Sequence, residues 1–397
     1  MKISTEQNKI NEILERGVEE ITNKKHLQEA LLSGRQLRIK LGIDPTGNKI
    51  HIGRATQLLK LKDFQDLGHK IVLIIGDFTA QIGDASDKNS MRPPLTEKEI
   101  KENLKDYKKQ IAKILDISKV EFRYNSEWWS KFKMKDFISL SQKFTAQQLI
   151  QRRNFKERWD SDKPIGLHEI FYPIFQGYDS VAVESDMELG GSDQLFNLQM
   201  GREIQTIFNQ KPQDLMTLKM IWGLDGRKMS TSWGNVINIT DDFYDMYGKI
   251  MSMRDEYIID YLESCTRMSI DKIQQYKRDL EIKGNFKEVK EILAKEIVSI
   301  YYSSKLADEA YDKFNKMFKD KEIPEDIIEV LIPFQKMNIL DLLIATGSVK
   351  SKQEARRMIE QKGVKINNDI KDDINEEIDV KSGMVIQKGK RFFIKIK

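Results

Sequence analysis

The sequence predicts a doubly wound α/β domain built on a parallel sheet, then an all-helical domain, then a small basic α+β domain. Three observations carry this. Strand-like and helical segments alternate over roughly the first 240 residues, the pattern of βαβ units. From there to about residue 320 the apolar residues fall only at helical spacing. Residues 337–397 hold 13 Lys/Arg against 9 Asp/Glu, which accounts for the whole net charge of +4 on the 397-residue chain. The expected domains are therefore 1–235, 236–330 and 337–397.

Taken in order, residues 7–33 read as one amphipathic helix ended near Gly34. Residues 38–42 form a short strand, and Asp44-Pro45-Thr46-Gly47 a turn. Residues 53–67 have helical spacing, with Leu58, Leu59, Leu61 and Phe64 available for one face. KIVLII at 70–75 lacks alternation, as a parallel strand covered on both faces should. Strand, turn, helix, strand is a βαβ unit, right-handed by default. Thr96-Glu97-Lys98-Glu99 reads as a capping box opening a helix to Leu115, and residues 120–124 as the next strand. Helices are expected near 134–158, 167–184 and 194–207, with a short strand near 187–189. Phe286, Val289, Ile292, Leu293, Ile297 and Ile300 form a helical stripe in the second domain. Pro333 suits a linker. In the tail, Gly347 and Gly363 punctuate a helix-rich start, and residues 364–366 and 392–396 are strand-like.

Composition excludes several classes. Hydrophobic residues at 40% and charged residues at 32% suit a folded chain with a solvated surface rather than a disordered one. No stretch approaches the ~20 apolar residues of a membrane span, and the polar first residues show no secretory core. Cys265 is the single cysteine, which excludes an internal disulfide framework and a cysteine-rich zinc site. A cytoplasmic protein with no membrane partner is expected. His26 and His168 have no His or Cys at ligand spacing, and no protein-bound metal is assigned. His69 after Gly68 reads as a helix C-terminal cap, and Trp128 and Trp129 as packing residues.

Two segments face phosphate chemistry. His51-Ile52-Gly53-Arg54 opens a helix after the first strand, where free N–H groups and the dipole favour an anion, with basic side chains three residues apart on one face. Lys228-Met229-Ser230-Thr231-Ser232, after Gly226-Arg227, is a loop whose cation and hydroxyls suit a polyphosphate. Alone, each reads equally as an ordinary surface turn or loop. Together, in this order, they resemble the signature pair of class I aminoacyl-tRNA synthetases. Residues 172–179 (YPIFQGYD) and 190–194 (GGSDQ) resemble the amino-acid-binding segments of the tyrosyl enzymes. Residues 42–46 (GIDPT) and 76–84 (GDFTAQIGD) match the same family, and the tail resembles the S4 RNA-binding domain of its bacterial-type members. The similarity runs over nearly the whole chain, so the first domain is expected to be the Rossmann-like catalytic domain, the second anticodon-binding and the third S4.

The resemblance implies activation of L-tyrosine with Mg·ATP to tyrosyl-adenylate, then transfer to the 3′-terminal ribose of tRNA(Tyr) by a homodimer. It implies catalytic roles for His51, Arg54, Lys228, Thr231 and Thr46. ATP-binding roles fall to Gly42, Asp44, Gly53, Gly191, Asp193, Met229, Ser230, Ser232, Lys88 and Arg92. Tyrosine is met by Asp179 at the phenol and by Tyr172, Gln176, Gln194, Asp84, Thr79 and Lys40. In the tail, Lys352, Arg356, Arg357 and Lys365 are candidates for RNA phosphate, and the acidic stretch 372–379 faces away. A pocket that hydrogen-bonds a phenol rejects phenylalanine because a buried polar group is left unpaired. Tyrosyl enzymes are themselves the standing instance of that rule, at about 10⁵ without editing.

Three positions depart from the family pattern. Arg54 stands for a second histidine, Thr231 for the second lysine of the loop, and Lys40 for a tyrosine against the substrate phenol. Arg227, Lys88 or a monovalent cation are candidates to replace the lost loop charge. The rival readings are a nucleotidyltransferase with a His-x-Gly phosphate site, tryptophan activation within the same superfamily, and a catalytically silent RNA-binding paralogue.

Overall fold

In the computed structural model the residues described are 3–84, 94–319, 328–333, 335–349, 351–389 and 392–397. The chain divides into two compact units, Met1–Asp308 and Glu309–Lys397.

The first unit is organised by a six-stranded sheet of β1 (Val18–Thr22), β2 (Arg38–Ile43), β3 (Lys70–Ile75), β4 (Val120–Tyr124), β5 (Met187–Gly191) and β6 (Asp214–Leu218), in the order β1-β6-β5-β2-β3-β4. Strands β2 to β6 run parallel, and β1 joins the β6 edge antiparallel. The central strands have buried, near-continuous apolar runs because helices cover both faces.

Helices α1 (Gln7–Ile13) and α2 (Lys24–Leu32) flank β1, so residues 7–33 are not one helix. Gly17 at φ 66° and Asn23 at φ 63° take left-handed conformations that stop the helical path on either side of the strand. The expected parallel sheet is accordingly a mixed one, with β1 and β6 added at one edge.

α3 (Ile52–Asp66) crosses from β2 to β3. At its end Gly68 has φ 95° and the His69 N–H reaches the Phe64 carbonyl at 3.1 Å, the capping expected there. The capping box at Thr96 and Glu99 is formed, but its helix breaks into α4 (Glu97–Leu104) and α5 (Tyr107–Ile111). Between β4 and β5 come α6 (Ser126–Trp129), α7 (Met134–Ser141), α8 (Ala146–Ile150), α9 (Arg153–Asp160) and α10 (Leu167–Ala182), and α11 (Leu195–Ile207) leads to β6.

α10 and α11 cross at Gly177 and Gly201. A Cβ on Gly177 would stand 2.8 Å from Ile204 Cδ1 and 3.1 Å from the Met200 carbonyl carbon. That close approach fixes which α10 side chains face the sheet. Helices α12 (Phe243–Ser252), α13 (Ile258–Cys265), α14 (Ile270–Lys283), α15 (Phe286–Tyr301) and α16 (Ser304–Lys319) follow; of the expected stripe on α15, Val289, Leu293 and Ile297 are buried, Ile292 and Ile300 half-buried and Phe286 exposed. Among the described residues, no helix is long and apolar enough to cross a membrane.

The second unit holds a five-stranded sheet in the order β10-β9-β12-β13-β7 and a two-stranded ribbon of β8 and β11. The strands are β7 (Ile328–Val330), β8 (Lys336–Asn338), β9 (Val364–Ile366), β10 (Asp369–Lys371), β11 (Glu377–Asp379), β12 (Val385–Lys388) and β13 (Phe392–Ile396), with α17 (Ile339–Ala345) and α18 (Lys352–Glu360). Leu342, Leu343, Ala355, Ile359, Val364, Ile386 and Ile396 are among its core.

Candidate active site

Strand order decides where a ligand fits. From β2 the chain turns to β3 and β4 on one side, while β5 and β6 lie on the other. The carboxyl ends of β2 and β5 therefore part at a topological switch point, where open α/β sheets bind ligands. A cleft of ≈ 240 Å³ lies there. The family-matched segments converge on it, although they are spread from residue 42 to residue 232.

At one end the cleft is lined by carboxylates and amides. Asp44, just past β2, accepts from the Thr79 hydroxyl at 2.8 Å and the Tyr172 hydroxyl at 2.8 Å. A Cβ on Gly76 would lie 2.0 Å from Asp44 Oδ1, so only glycine lets the β2 and β3 ends approach this closely. Gln194 donates to Asp84 at 2.7 Å, and Asn197 joins Gln194 and Gln176, each at 2.9 Å. Asp44, Asp84, Tyr172, Gln176 and Gln194 all line the cleft.

Asp179, on α10, lies deeper and is only 3% exposed. Its carboxylate accepts from the indole N–H of Trp128 at 2.9 Å, the indole N–H of Trp129 at 3.1 Å and the Asn125 amide at 3.2 Å. Burial nevertheless pushes its pKa up to about 7, against the opposing pull of Lys40 and the three donors. The two tryptophans therefore do more than pack. Trp129 does stack into Phe78, Phe132, Phe175 and Tyr178, and that packing holds its N–H on Asp179. Asn125 also bonds Thr79 at 3.0 Å, tying the Asp179 and Asp44 ends together.

Lys40 does not line the cleft. Its side chain is 0% exposed, and its ammonium meets Glu188 at 3.0 Å and the Ser180 hydroxyl at 2.8 Å beneath the floor. The expectation of direct contact with the substrate ring is corrected accordingly: β2 alternates, and position 40 points to the face covered by α10. Arg152, which sequence reasoning passed over, is buried against Asp84.

The other end is cationic. His51 caps α3, its Nδ1 accepting from the Arg54 N–H at 3.2 Å, so the proton sits on Nε2. Burial, then Arg54 and Lys228, lower its pKa to about 3, and the ring is neutral at working pH. The Arg54 guanidinium is held by the Tyr107 hydroxyl at 3.0 Å and Thr46 Oγ1 at 3.3 Å.

The residues after the loop run back beside this helix start. Ile52 N–H bonds the Ile237 carbonyl at 2.8 Å, and His51 pairs with Asn238. Asn235, 4% exposed, accepts from the Ser230 N–H at 2.9 Å and donates to Asp225 at 2.7 Å, pinning the loop. Lys228 reaches Asp193 at 3.2 Å. Gly42, Gly53, Gly191, Met229, Ser230, Thr231 and Ser232 line the same cleft. Arg227 does not aim into it: its guanidinium pairs with Asp225 and lies 4.7 Å over the Trp233 ring. Lys88 and Arg92 lie outside the described residues.

In the second unit, Lys352, Arg356 and Arg357 are exposed on α18 and Lys365 is half-buried on β9. Lys352 pairs with Asp341 at 2.7 Å.

Comparison with known proteins bears on all of this. Residues 32–319 match the family described as tRNA synthetases class I (W and Y), and residues 318–396 the C-terminal domain of SYY-like tyrosine–tRNA ligases. The chain is 43% identical over 386 residues to the tyrosine–tRNA ligase of Thermotoga maritima, covering 97% of this chain and 96% of that one. The identity to the tyrosine–tRNA ligase of Carboxydothermus hydrogenoformans is 43% over 397 residues, covering 97% of each.

Among solved structures, a C-terminally truncated mitochondrial tyrosyl-tRNA synthetase of Aspergillus nidulans superposes with a TM-score of 0.66 at 19% identity, over 78% of this chain and 94% of that one. The tyrosyl-tRNA synthetase of Archaeoglobus fulgidus gives 0.60 at 22% identity, over 76% and 98%. At those identities the shared property is the fold. The sequence matches go further: this chain belongs to the class I tRNA synthetases of the tryptophan and tyrosine group and, within it, to the tyrosine–tRNA ligases.

Proposed function

We propose that the cleft binds tyrosine with its ammonium among Tyr172, Gln176, Asp84 and Gln194 and its phenol at Asp179, and ATP with its phosphates between His51 and the loop. The activity is tyrosine–tRNA ligation. A tyrosine carboxylate oxygen attacks the α-phosphorus, the bond to pyrophosphate breaks, and a hydroxyl of the terminal tRNA ribose then takes the tyrosyl group as AMP leaves. The single observation that carries this reading is one cleft with a buried, multiply donated carboxylate at one end and cations at the other.

The chemistry asks the protein for alignment and charge stabilisation more than for covalent work. His51, neutral, donates from Nε2; Arg54, Thr46 and Lys228 meet the phosphates; Thr231 and Ser232 offer hydroxyls. Asp193, with Gly191 beside it, suits the ribose hydroxyls. Mg²⁺ arrives with ATP, and the donors at the phosphate end are cations and hydroxyls, which fits a metal carried by phosphate and water.

Arg356, Arg357, Lys352 and Lys365 of the S4-like tail meet tRNA backbone, and helices α12 to α16 meet the anticodon arm. The working protein is a cytoplasmic homodimer. Charging of tRNA(Tyr) with labelled tyrosine tests the whole reading, and its absence from protein competent in adenylate formation would remove the second step.

Two further outcomes follow from these assignments. His51→Ala lowers the kcat of ATP–pyrophosphate exchange by about 10², the effect of one preorganised donor. Because the His51 pKa lies near 3, the wild-type profile shows no limb from this ring between pH 5 and 8. A limb lost on substituting His51 contradicts the neutral-donor role. The double variant Arg356→Ala, Arg357→Ala raises the KM for tRNA by roughly ten-fold and flattens its salt dependence, while exchange, which needs no tRNA, stays unchanged. Equal losses in both assays contradict a tail role in RNA binding.

A further inference from the structure

Lys40 and Glu188 form a buried ion pair that the reaction above does not use directly. The two side chains are 0% and 1% exposed and 3.0 Å apart. Burying two charges costs several kcal/mol per ion, offset only where the remaining donors and acceptors are met; here Ser180 and Gln213 meet them beneath the cleft and Gln176 meets them from its lining. Lys40 also reaches the Gln176 carbonyl at 3.2 Å and the Ser180 hydroxyl at 2.8 Å, both on α10. Glu188 accepts from the Gln176 side-chain amide at 3.2 Å, from the Ser180 hydroxyl at 3.1 Å and from Gln213. Gln176 then accepts from Asn197, which bonds Gln194, which holds Asp84. The pair is thus the root of the polar chain that runs under the tyrosine end of the cleft.

We propose that Lys40 and Glu188 are a positioning pair for tyrosine: Lys40 supplies the positive charge against which Asp179 accepts the phenol, and Glu188 aims Gln176 at the ammonium. This rests on the tyrosine reading of the cleft and adds what sets its selectivity from below. The groups facing Asp179 support it. Asn125, Trp128 and Trp129 from the β4–α6 side are uncharged donors, and Arg123 of β4 lies on the Trp128 ring at 5.5 Å. Lys40 of β2 bonds the Gln176 carbonyl and the Ser180 hydroxyl, which bracket Asp179 on α10, and its charge opposes the rise that burial gives the Asp179 pKa; Glu188 of β5 pairs with it at 3.0 Å. The bonds of the pair go to Gln176, Ser180 and Gln213, none of them assigned to ATP, so the pair acts on one substrate only.

The test is ATP–pyrophosphate exchange at varied tyrosine, from pH 5.5 to 9, in wild type, Lys40→Met, and the double variant Lys40→Met, Glu188→Gln. The double variant removes both charges while keeping an amide for Gln176 and Gln213, so a folding defect of the single variant does not decide the matter. Loss of Lys40 raises the tyrosine KM at least ten-fold, moves the rising limb of kcat/KM for tyrosine up by about one pH unit, and leaves the ATP KM within two-fold.

The double variant recovers the wild-type melting temperature but keeps the displaced limb. A double variant in which tyrosine KM and limb both return to wild type makes the pair merely structural and overturns the proposal, as does an unmoved limb in Lys40→Met. Wild-type protein that exchanges no tyrosine sinks the functional reading itself; active wild type with an unmoved limb sinks only this inference.

Discussion

Asp179→Asn abolishes most of the preference for tyrosine over phenylalanine. In the wild-type cleft the carboxylate is buried and already holds three N–H donors, so it is fixed in place and cannot turn away from a ligand. In the proposed binding mode a phenol donates to it, whereas a phenyl ring offers no donor and leaves that acceptor position unpaired. Sites built this way discriminate by 10⁴–10⁵, the upper figure being that of tyrosyl enzymes themselves.

The amide keeps the shape but removes the charge, and three donors that faced two oxygens now meet one oxygen and an NH₂ group. The expected result is a fall in kcat/KM for tyrosine of about 10³ or more, with phenylalanine nearly unchanged. The pH dependence gives a second reading. Burial raises the Asp179 pKa to about 7, so the carboxyl is mostly protonated below that value and ionises as pH rises through it. kcat/KM for tyrosine therefore climbs through pH 7 in the wild type, and this limb is missing in Asp179→Asn. Retention of both the limb and the discrimination would place the phenol elsewhere.

Lys228→Ala is the second large effect. Asn235, Asp225 and Ser230 brace the loop so that the lysine projects to Asp193 across the cleft. In the binding mode proposed above, the adenosine ribose and the phosphates take that same space, so an ammonium there would meet negative charge that grows as pyrophosphate departs. Removing one such preorganised group costs about 10²–10³ in kcat. Thr231 leaves the loop without a second cation, and Arg227 is turned to Asp225 and Trp233. The loss falls mainly on kcat of exchange, with the ATP KM changed far less, because the interaction is made chiefly in the transition state. A rise in ATP KM at constant kcat would mean that Lys228 only anchors the ground state.

The central fold was legible because its signals are local and strong. The apolar run of β3, the turn at Asp44-Pro45, and the capping box at Thr96 each depend on neighbours in sequence. The two motifs expected to face phosphate are likewise legible as residue types in order, and the fold brings both to one cleft. What escaped notice depends on partners distant in sequence. β1 is short, has no fully buried residue and is flanked by helix formers, and only Gly17 and Asn23 mark its ends. β6 was passed over between a helix and the loop.

Trp128 and Trp129 looked like packing because an indole carries no charge; their N–H groups matter only once α10 places Asp179 opposite them, 50 residues later. Their position just past the carboxyl end of β4, next to Asn125, was the available clue. Arg152 gave no local signal, since its partner Asp84 lies 68 residues away. Lys40 stands out in the sequence for what it replaces, but its pairing with Glu188 depends on β2 and β5 being neighbours in the sheet.

The measurement that tests the account most directly is ATP–pyrophosphate exchange with each of the twenty amino acids offered singly to the wild-type protein. Exchange with tyrosine is the expected result, with phenylalanine and tryptophan lower by several orders of magnitude. Exchange with tryptophan in place of tyrosine, or silence with all twenty from folded protein that still binds tRNA, would contradict it.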